Sequence, residues 1–233
     1  MRQIQIVNQS TVVDPTKFQQ TVLACSLQVS GDFAPSWGGA TAFLQGVSHP
    51  PGTPYQPQHE TIYVVDDADQ ADALGYHELT ATDKPIGFVF ARTALTDRTP
   101  WSLTLSHELL EQIVDPYVCT CAVVPGIQGN ARVMAVEYEI CDPVEQDAYV
   151  RAGVEVSNFV LPAWFQPVTG AVGPYDFLKK LTAPLSATAG GYIGFTSDLR
   201  TWQQQVYNRT KPLVNKYDRH RKRKYTTHHD TKS

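Results

Sequence analysis

The sequence has no apolar run approaching the roughly 20 residues that a membrane span requires. Its opening residues, MRQIQIVNQS, lack the apolar core of a signal peptide, so the expectation is a cytoplasmic protein with no membrane partner. Cysteine is sparse. The four present, Cys25, Cys119, Cys121 and Cys141, are too few for a disulfide scaffold, and they lack the C-x-x-C pairs usual in a small zinc cluster. Basic charge is short as well. The net charge is −4, and residues 216–224 concentrate six basic residues against one acid, Asp218, so the rest of the chain is more acidic still. An acidic body with a short basic tail is not a dedicated nucleic-acid binder. The tail can at most touch nucleic acid or an acidic partner weakly, and the plainer reading is a solvated, disordered terminus. There is no internal repeat and no obvious linker before about residue 212.

What is present suits a globular fold: 42% hydrophobic and 18% charged residues are enough to build a core. Residues 3–7 read as a strand. Asp14 then caps a helix with Pro15 at its first position, which Gly31 is expected to end. The loop DFAPSWGG brings aromatic anchors Phe33 and Trp37. Strands are expected at 41–47, 61–66 and 86–91, with a proline-rich surface loop at 48–58 and a short helix near 71–74. Residues 132–140 and 155–160 read as later strands, 175–181 as a short helix, and 190–195 as a late strand or turn. The order strand, helix, strand, strand, strand, helix predicts an α/β domain with a mixed sheet over residues 1–116. A loop-rich part at 117–212 completes a single domain, and 213–233 form the tail.

The stretch that organises the chain is residues 99–115, TPWSLTLSHELLEQIVD. Thr99 is a good N-cap, Pro100 suits the first helical position, and Asp115-Pro116 stops the helix. At 100° per residue Leu103, Leu110 and Val114 share one side, with His107 and Glu111 beside them one turn apart. This is H-E-x-x-E, the spacing of the H-E-x-x-H zinc helix with Glu111 in place of the second histidine. Residues four apart stack about 6 Å along the axis, so both side chains can reach one cation. Glu108 points beside that cation and is placed to deprotonate its water. A carboxylate ligand is acceptable to zinc and favours a harder divalent ion somewhat more than histidine does. The alternative is an amphipathic helix with an ordinary acidic face.

Six segments carry a resemblance: DFAPSWG at 32–38, ALGYHELT at 73–80, PWSLTLSHELLEQIVDP at 100–116, EICDPVE at 139–145, VSNFVLPAWF at 156–165 and GGYIGF at 190–195. Together they resemble a zincin-like family of bacterial and phage proteins across nearly all of residues 30–200. The resemblance implies a metallopeptidase-type fold, with the metal helix beneath a mixed sheet whose edge strand pairs with an extended peptide substrate. It also implies a possible phage association. The chain departs from the zincin pattern at Glu111 and in lacking a downstream histidine or later helical glutamate as third ligand.

EICDPVE is the better source of that third ligand, because Asp115 lies over about 10 Å up the axis from His107. Alternation sends Glu137, Glu139 and Cys141 to one side of a strand and Tyr138, Ile140 and Asp142 to the other, but the strand is expected to end at Cys141-Asp142-Pro143, where alternation lapses and Asp142 can turn back. The resemblance matches Glu139 and Asp142, with Glu139 ranked first. Asp142 is then either a ligand or an acceptor that orients His107. A cross-strand ion pair is the alternative for Glu139. His77 is expected to steady an oxyanion near the metal, or else to be a satisfied loop histidine. The expected protein is a metal-dependent hydrolase, with Zn²⁺ or another divalent ion held by His107, Glu111 and a carboxylate from EICDPVE. Glu108 would be its general base, and a peptide or other amide bond its target. Two rivals stand beside it: a zincin-fold binding or assembly protein with little or no catalysis, and a nucleic-acid-associated protein acting through residues 216–224.

Overall fold

A computed structural model describes residues 2–69, 73–125, 133–167, 172–198 and 200–207. The basic tail and residues 71 and 72 of the expected short helix lie outside the described residues.

Strand β1 (Arg2–Asn8) leads to Asp14, whose side chain accepts from the amides of Thr16 and Lys17 and opens helix α1 (Pro15–Leu27) as expected. Gly31 does not end the helical path. The chain widens into a π-helical turn over Gln28–Phe33 and leaves after Phe33. That turn carries Phe33 into the core, where it stacks on Trp37 with ring centroids 5.8 Å apart. Trp37 in turn donates from Nε1 to the carbonyl of Val160 at 3.1 Å.

Strand β2 (Ala42–Ser48), β3 (Glu60–Val65), β4 (Gly75–Leu79) and β5 (Pro85–Phe90) complete a five-stranded sheet ordered β2-β1-β3-β5-β4. β2, β1, β3 and β5 run parallel, and β4 pairs antiparallel with β5 at the sheet's edge. The fold is α/β with a mixed sheet, as expected. Strand β4 is an addition to the sequence reading, because GYHEL has no run of β-branched residues to announce it. A short helix α2 (Ala91–Thr96) then intervenes before the long helix α3 (Trp101–Val114).

Helix α3 starts one residue later than the capping pattern predicts. Pro100 is the N-cap, and no side chain caps it. The amide of Thr99 is instead used by the carbonyl of Ala94. The other end is well held. Arg2 donates to the carbonyls of Ile113 (2.7 Å) and Gln112 (3.0 Å) while pairing with Glu60, so the start of β1 satisfies carbonyls that a helix C-terminus leaves open. Asp115 accepts from the amides of Cys119 and Thr120 and from the Thr120 hydroxyl, which turns the chain out of the helix.

Beyond α3 the chain is more regular than expected. β6 (Cys121–Val124), β7 (Met134–Glu137), β8 (Ala148–Arg151), β9 (Val154–Ser157), β10 (Tyr192–Thr196) and β11 (Gln203–Val206) form two further sheets. One is antiparallel in the order β11-β10-β7-β6, and the other is the β8–β9 hairpin. The hairpin turns on Ala152 and Gly153, both at positive φ (49° and 80°), as a tight two-residue turn between twisted strands demands. Strand β7 ends at Glu137, three residues short of the expected end. The expected helix over 175–181 does not form. Asp176, fully buried, accepts from Asn158 Nδ2 (2.8 Å) and from the amide of Leu181 (2.7 Å), which holds the segment in turns.

One hydrophobic cluster joins both halves. It runs from Ile4, Ile6, Phe18 and Ile62 through Leu105 and Leu109 to Val136, Phe159, Trp164 and Ile193. Helix α3 is therefore buried on nearly every side. Leu110 is in the core as expected, but Leu103 and Val114 are only half-buried, and Leu105, Leu109 and Ile113 are the deeper residues. Among the described residues no helix is long and apolar enough to cross a membrane.

Candidate metal centre

Helix α3 is clamped between two walls, and each is fixed by a specific residue. On the sheet side Gly75 allows β4 to lie directly against the helix. A Cβ there would stand 2.6 Å from Thr104 Cγ2, 2.8 Å from the carbonyl oxygen of Phe88 and 3.1 Å from Glu108 Cγ. On the other side Ser102 Oγ donates to the carbonyl of Glu155 (2.8 Å), and Ser106 Oγ accepts from the amide of Ser157 (2.6 Å), which locks β9 to the helix. Small polar residues at these helical positions thus set the spacing around the site.

Three segments meet at the middle of α3: β4 with His77, the helix with His107, Glu108 and Glu111, and the turn after β7 with Glu139, Cys141 and Asp142. His107 Nε2 lies 3.3 Å from Glu111 Oε2 and 3.1 Å from Asp142 Oδ1. Asp142 Oδ1 is buried and accepts no hydrogen bond, so this contact is close without being aligned. His77 Nδ1 lies 3.1 Å from Glu108 Oε2, within hydrogen-bond reach, and 3.9 Å from Glu111 Oε2. The amide of Cys141 donates to Glu111 Oε1 at 3.1 Å, and its thiol lies 3.8 Å from the carbonyl of His107. Two sets of donor atoms are compact enough for an ion, each within 4.8 Å of one another: His107 with Glu111 and Cys141, and His77 with Glu111 and Glu139. With 12% of its side chain exposed, His107 is the most accessible member.

The charges oppose one another strongly. Burial alone would lower the His107 pKa, but the charge of Glu111, with Asp142 and Glu108, holds the imidazole well above its ordinary 6.5. Burial pushes Glu111 well above 4.5. His107 pulls it down, and Glu139 and Asp142 push it further up. Burial and the charge of Glu111 likewise raise the Cys141 thiol well above 9.0. Buried carboxylates that crowd each other in this way need protons, cationic imidazoles or a metal ion to be stable.

The expected residues His77, His107, Glu108, Glu111, Glu139 and Asp142 all converge here, with details that differ from the sequence reading. Asp142 stands against His107, as either of its expected roles requires, while Glu139, ranked first as third ligand, is not the carboxylate at that contact. Glu139 falls in the set with His77. Both follow from the early end of β7: the backbone leaves the strand after Glu137, and Asp142–Val144 forms a 3₁₀ turn that brings Asp142 back toward the helix. Cys141 is the residue that sequence reasoning missed. It directly precedes Asp142, but without a paired cysteine nearby its sulfur gives no ligand pattern in the sequence, and only the fold sets it beside His107 and Glu111. Cys119 is exposed, with its amide bound to Asp115, and Cys121 sits on β6. Asp66 and Asp67 pair with Arg92, so they are held as an ion-pair network.

Compared with known proteins, the chain matches no family model, no curated protein and no solved structure.

Proposed function

We propose that this protein is a metal-dependent hydrolase of zincin type, with a divalent ion, Zn²⁺ first, held by His107, Glu111 and Asp142. The observation that carries the proposal is the convergence of His107 Nε2, Glu111 Oε2 and Asp142 Oδ1 from two segments, with His107 at 3.3 and 3.1 Å from the two oxygens. Two ligand atoms at about 2.0–2.2 Å from one tetrahedral ion stand about 3.3–3.6 Å apart, and His107 Nε2 stands near that distance from each of the two oxygens. A divalent ion bound there supplies Lewis acidity and makes a water acidic enough to lose a proton near neutral pH.

The chain's own residues do the rest. Glu108 lies next to His107 on the helix but faces His77 across a 3.1 Å contact, which orients its carboxylate without making it a ligand. It accepts the proton of the attacking water and returns it to the leaving group. His77, 1% exposed and next to both Glu108 and Glu111, fits the role of orienting the base better than that of a free oxyanion donor. A peptide or other amide bond is the target that the family resemblance favours, and strand β4, which carries His77, lies at the sheet edge beside the site.

Purified protein should contain about one or more equivalents of bound metal by elemental analysis, and His107→Ala should lose it. Equal metal in wild type and variant would end the proposal. The deep burial of Glu108 and Glu111 favours a second reading, in which the ion is held for structure or assembly. Tight metal binding with no turnover on a broad peptide library would make that reading the better one.

A further inference from the structure

We propose that the centre is built for two divalent cations bridged by Glu111, one in the His107 set and one in the His77 set. The proposal rests on the metal-dependent reading above and goes beyond its single ion.

The donors compact enough to share one ion fall into two sets, and the two histidines fall in different ones: His107 with Cys141, His77 with Glu139. Glu111 belongs to both. Its Oε2 lies 3.3 Å from His107 Nε2 and 3.9 Å from His77 Nδ1, so one carboxylate faces a histidine on each side. A carboxylate shared between neighbouring ligand sets is how paired ions are held about 3.5–4 Å apart. Each set also has its own further acid. Asp142 stands 3.1 Å from His107, and Glu108 stands 3.1 Å from His77.

Charge points the same way. Glu108, Glu111, Glu139 and Asp142 are all buried. When ionised they carry twice the charge that one divalent ion neutralises, and unneutralised charge in a buried site is costly. Two divalent ions balance the four carboxylates with both imidazoles neutral, which is the state in which histidine ligates.

Co²⁺ is the probe, because it accepts imidazole and carboxylate donors and is paramagnetic. The full chain is stripped with chelator and titrated with Co²⁺, and bound ion is counted by equilibrium dialysis and read by electron paramagnetic resonance. Two equivalents with an exchange-coupled spectrum are expected. One equivalent, or two that are uncoupled, would overturn the second ion and leave the first intact. No bound Co²⁺ would overturn the metal-dependent reading itself. His77→Gln should lower the count from two to one and abolish the coupling, and a variant that keeps two coupled ions would also overturn the proposal. If that variant fails to fold, the wild-type spectrum alone decides.

Discussion

Gly75→Ala adds a single methyl group where β4 meets α3, and its consequences can be worked from distances. The new Cβ would stand 2.6 Å from Thr104 Cγ2 and 2.8 Å from the carbonyl oxygen of Phe88. Ordinary contacts between carbon atoms begin at about 3.5 Å. Thr104 is β-branched and stiff, and the Phe88 oxygen belongs to the backbone of β5, so neither neighbour can rotate away. Strand β4 must lift from the helix by roughly 0.5–1 Å, at a cost of about 1–3 kcal/mol typical of overpacking. His77 follows two residues later, on the same face of the strand, and is carried along. A lift of that size takes the 3.1 Å contact between His77 and Glu108 toward the limit of a hydrogen bond or past it. Denaturant unfolding should therefore show the loss in stability. The His77 ring resonances should shift in the NMR spectrum, and any hydrolytic turnover should drop by up to about 10²-fold, as a small misplacement of a catalytic group allows. Thr104→Ala removes one of the two tight contacts, so the double variant should recover part of the loss, with a coupling above about 0.5 kcal/mol. Gly75→Ala protein with wild-type stability and unmoved His77 resonances would refute the claim that this glycine sets the spacing of the site.

Other outcomes follow from individual residues. Glu108→Gln keeps shape and should keep both metal and stability, within about 0.5–1 kcal/mol, while turnover falls at least about 10²-fold; metal lost as readily as in Glu111→Gln would show Glu108 to be a ligand instead. Ellman's reagent should modify exposed Cys119 in the native protein, and Cys25 only on unfolding, because burial pushes its thiol up to about 12; fast native modification of Cys25 would contradict its placement. Burial alone would raise the Asp66 carboxyl, but hydrogen bonds from Ser10 and Thr11 and the charge of Arg92 more than offset it and hold it below its ordinary 3.8. It therefore contributes stability above that pH which is lost as pH falls through the lowered value. Asp66→Asn should show a shallower fall in stability than wild type as pH drops below about 4, and parallel curves would remove Asp66 from the account.

How much of this was legible in the sequence depends on the range of the physical cause. Asp14-Pro15 states its helix start locally, and the side chain does cap Thr16 and Lys17. His107 and Glu111 declare a shared face because helical spacing alone brings i and i+4 together. The parallel strands β3 and β5 are written as largely apolar runs, and β1 as an alternation of glutamine and isoleucine. The partners of the helix are not written this way. His77 reaches Glu108 because Gly75 lets an edge strand pack against α3, an event that depends on Thr104 and Phe88, and GYHEL alone shows none of it. Asp142 reaches His107 because β7 stops at Glu137 and the chain turns back, which the Asp142-Pro143 pair hints at, but which carboxylate meets His107 is decided by that distant turn and not by the strand pattern. The helix expected at 175–181 fails to form for the same reason, since Asp176 is captured by Asn158, which directly follows β9. In each failure a side chain from a distant segment takes over a backbone or charge that local propensity had assigned elsewhere. Those segments converge on α3 because strands of both halves, β4 and β5 from one and β9 from the other, pack against it, and the buried carboxylates of Glu108 and Glu111 are stable only with partners from those segments.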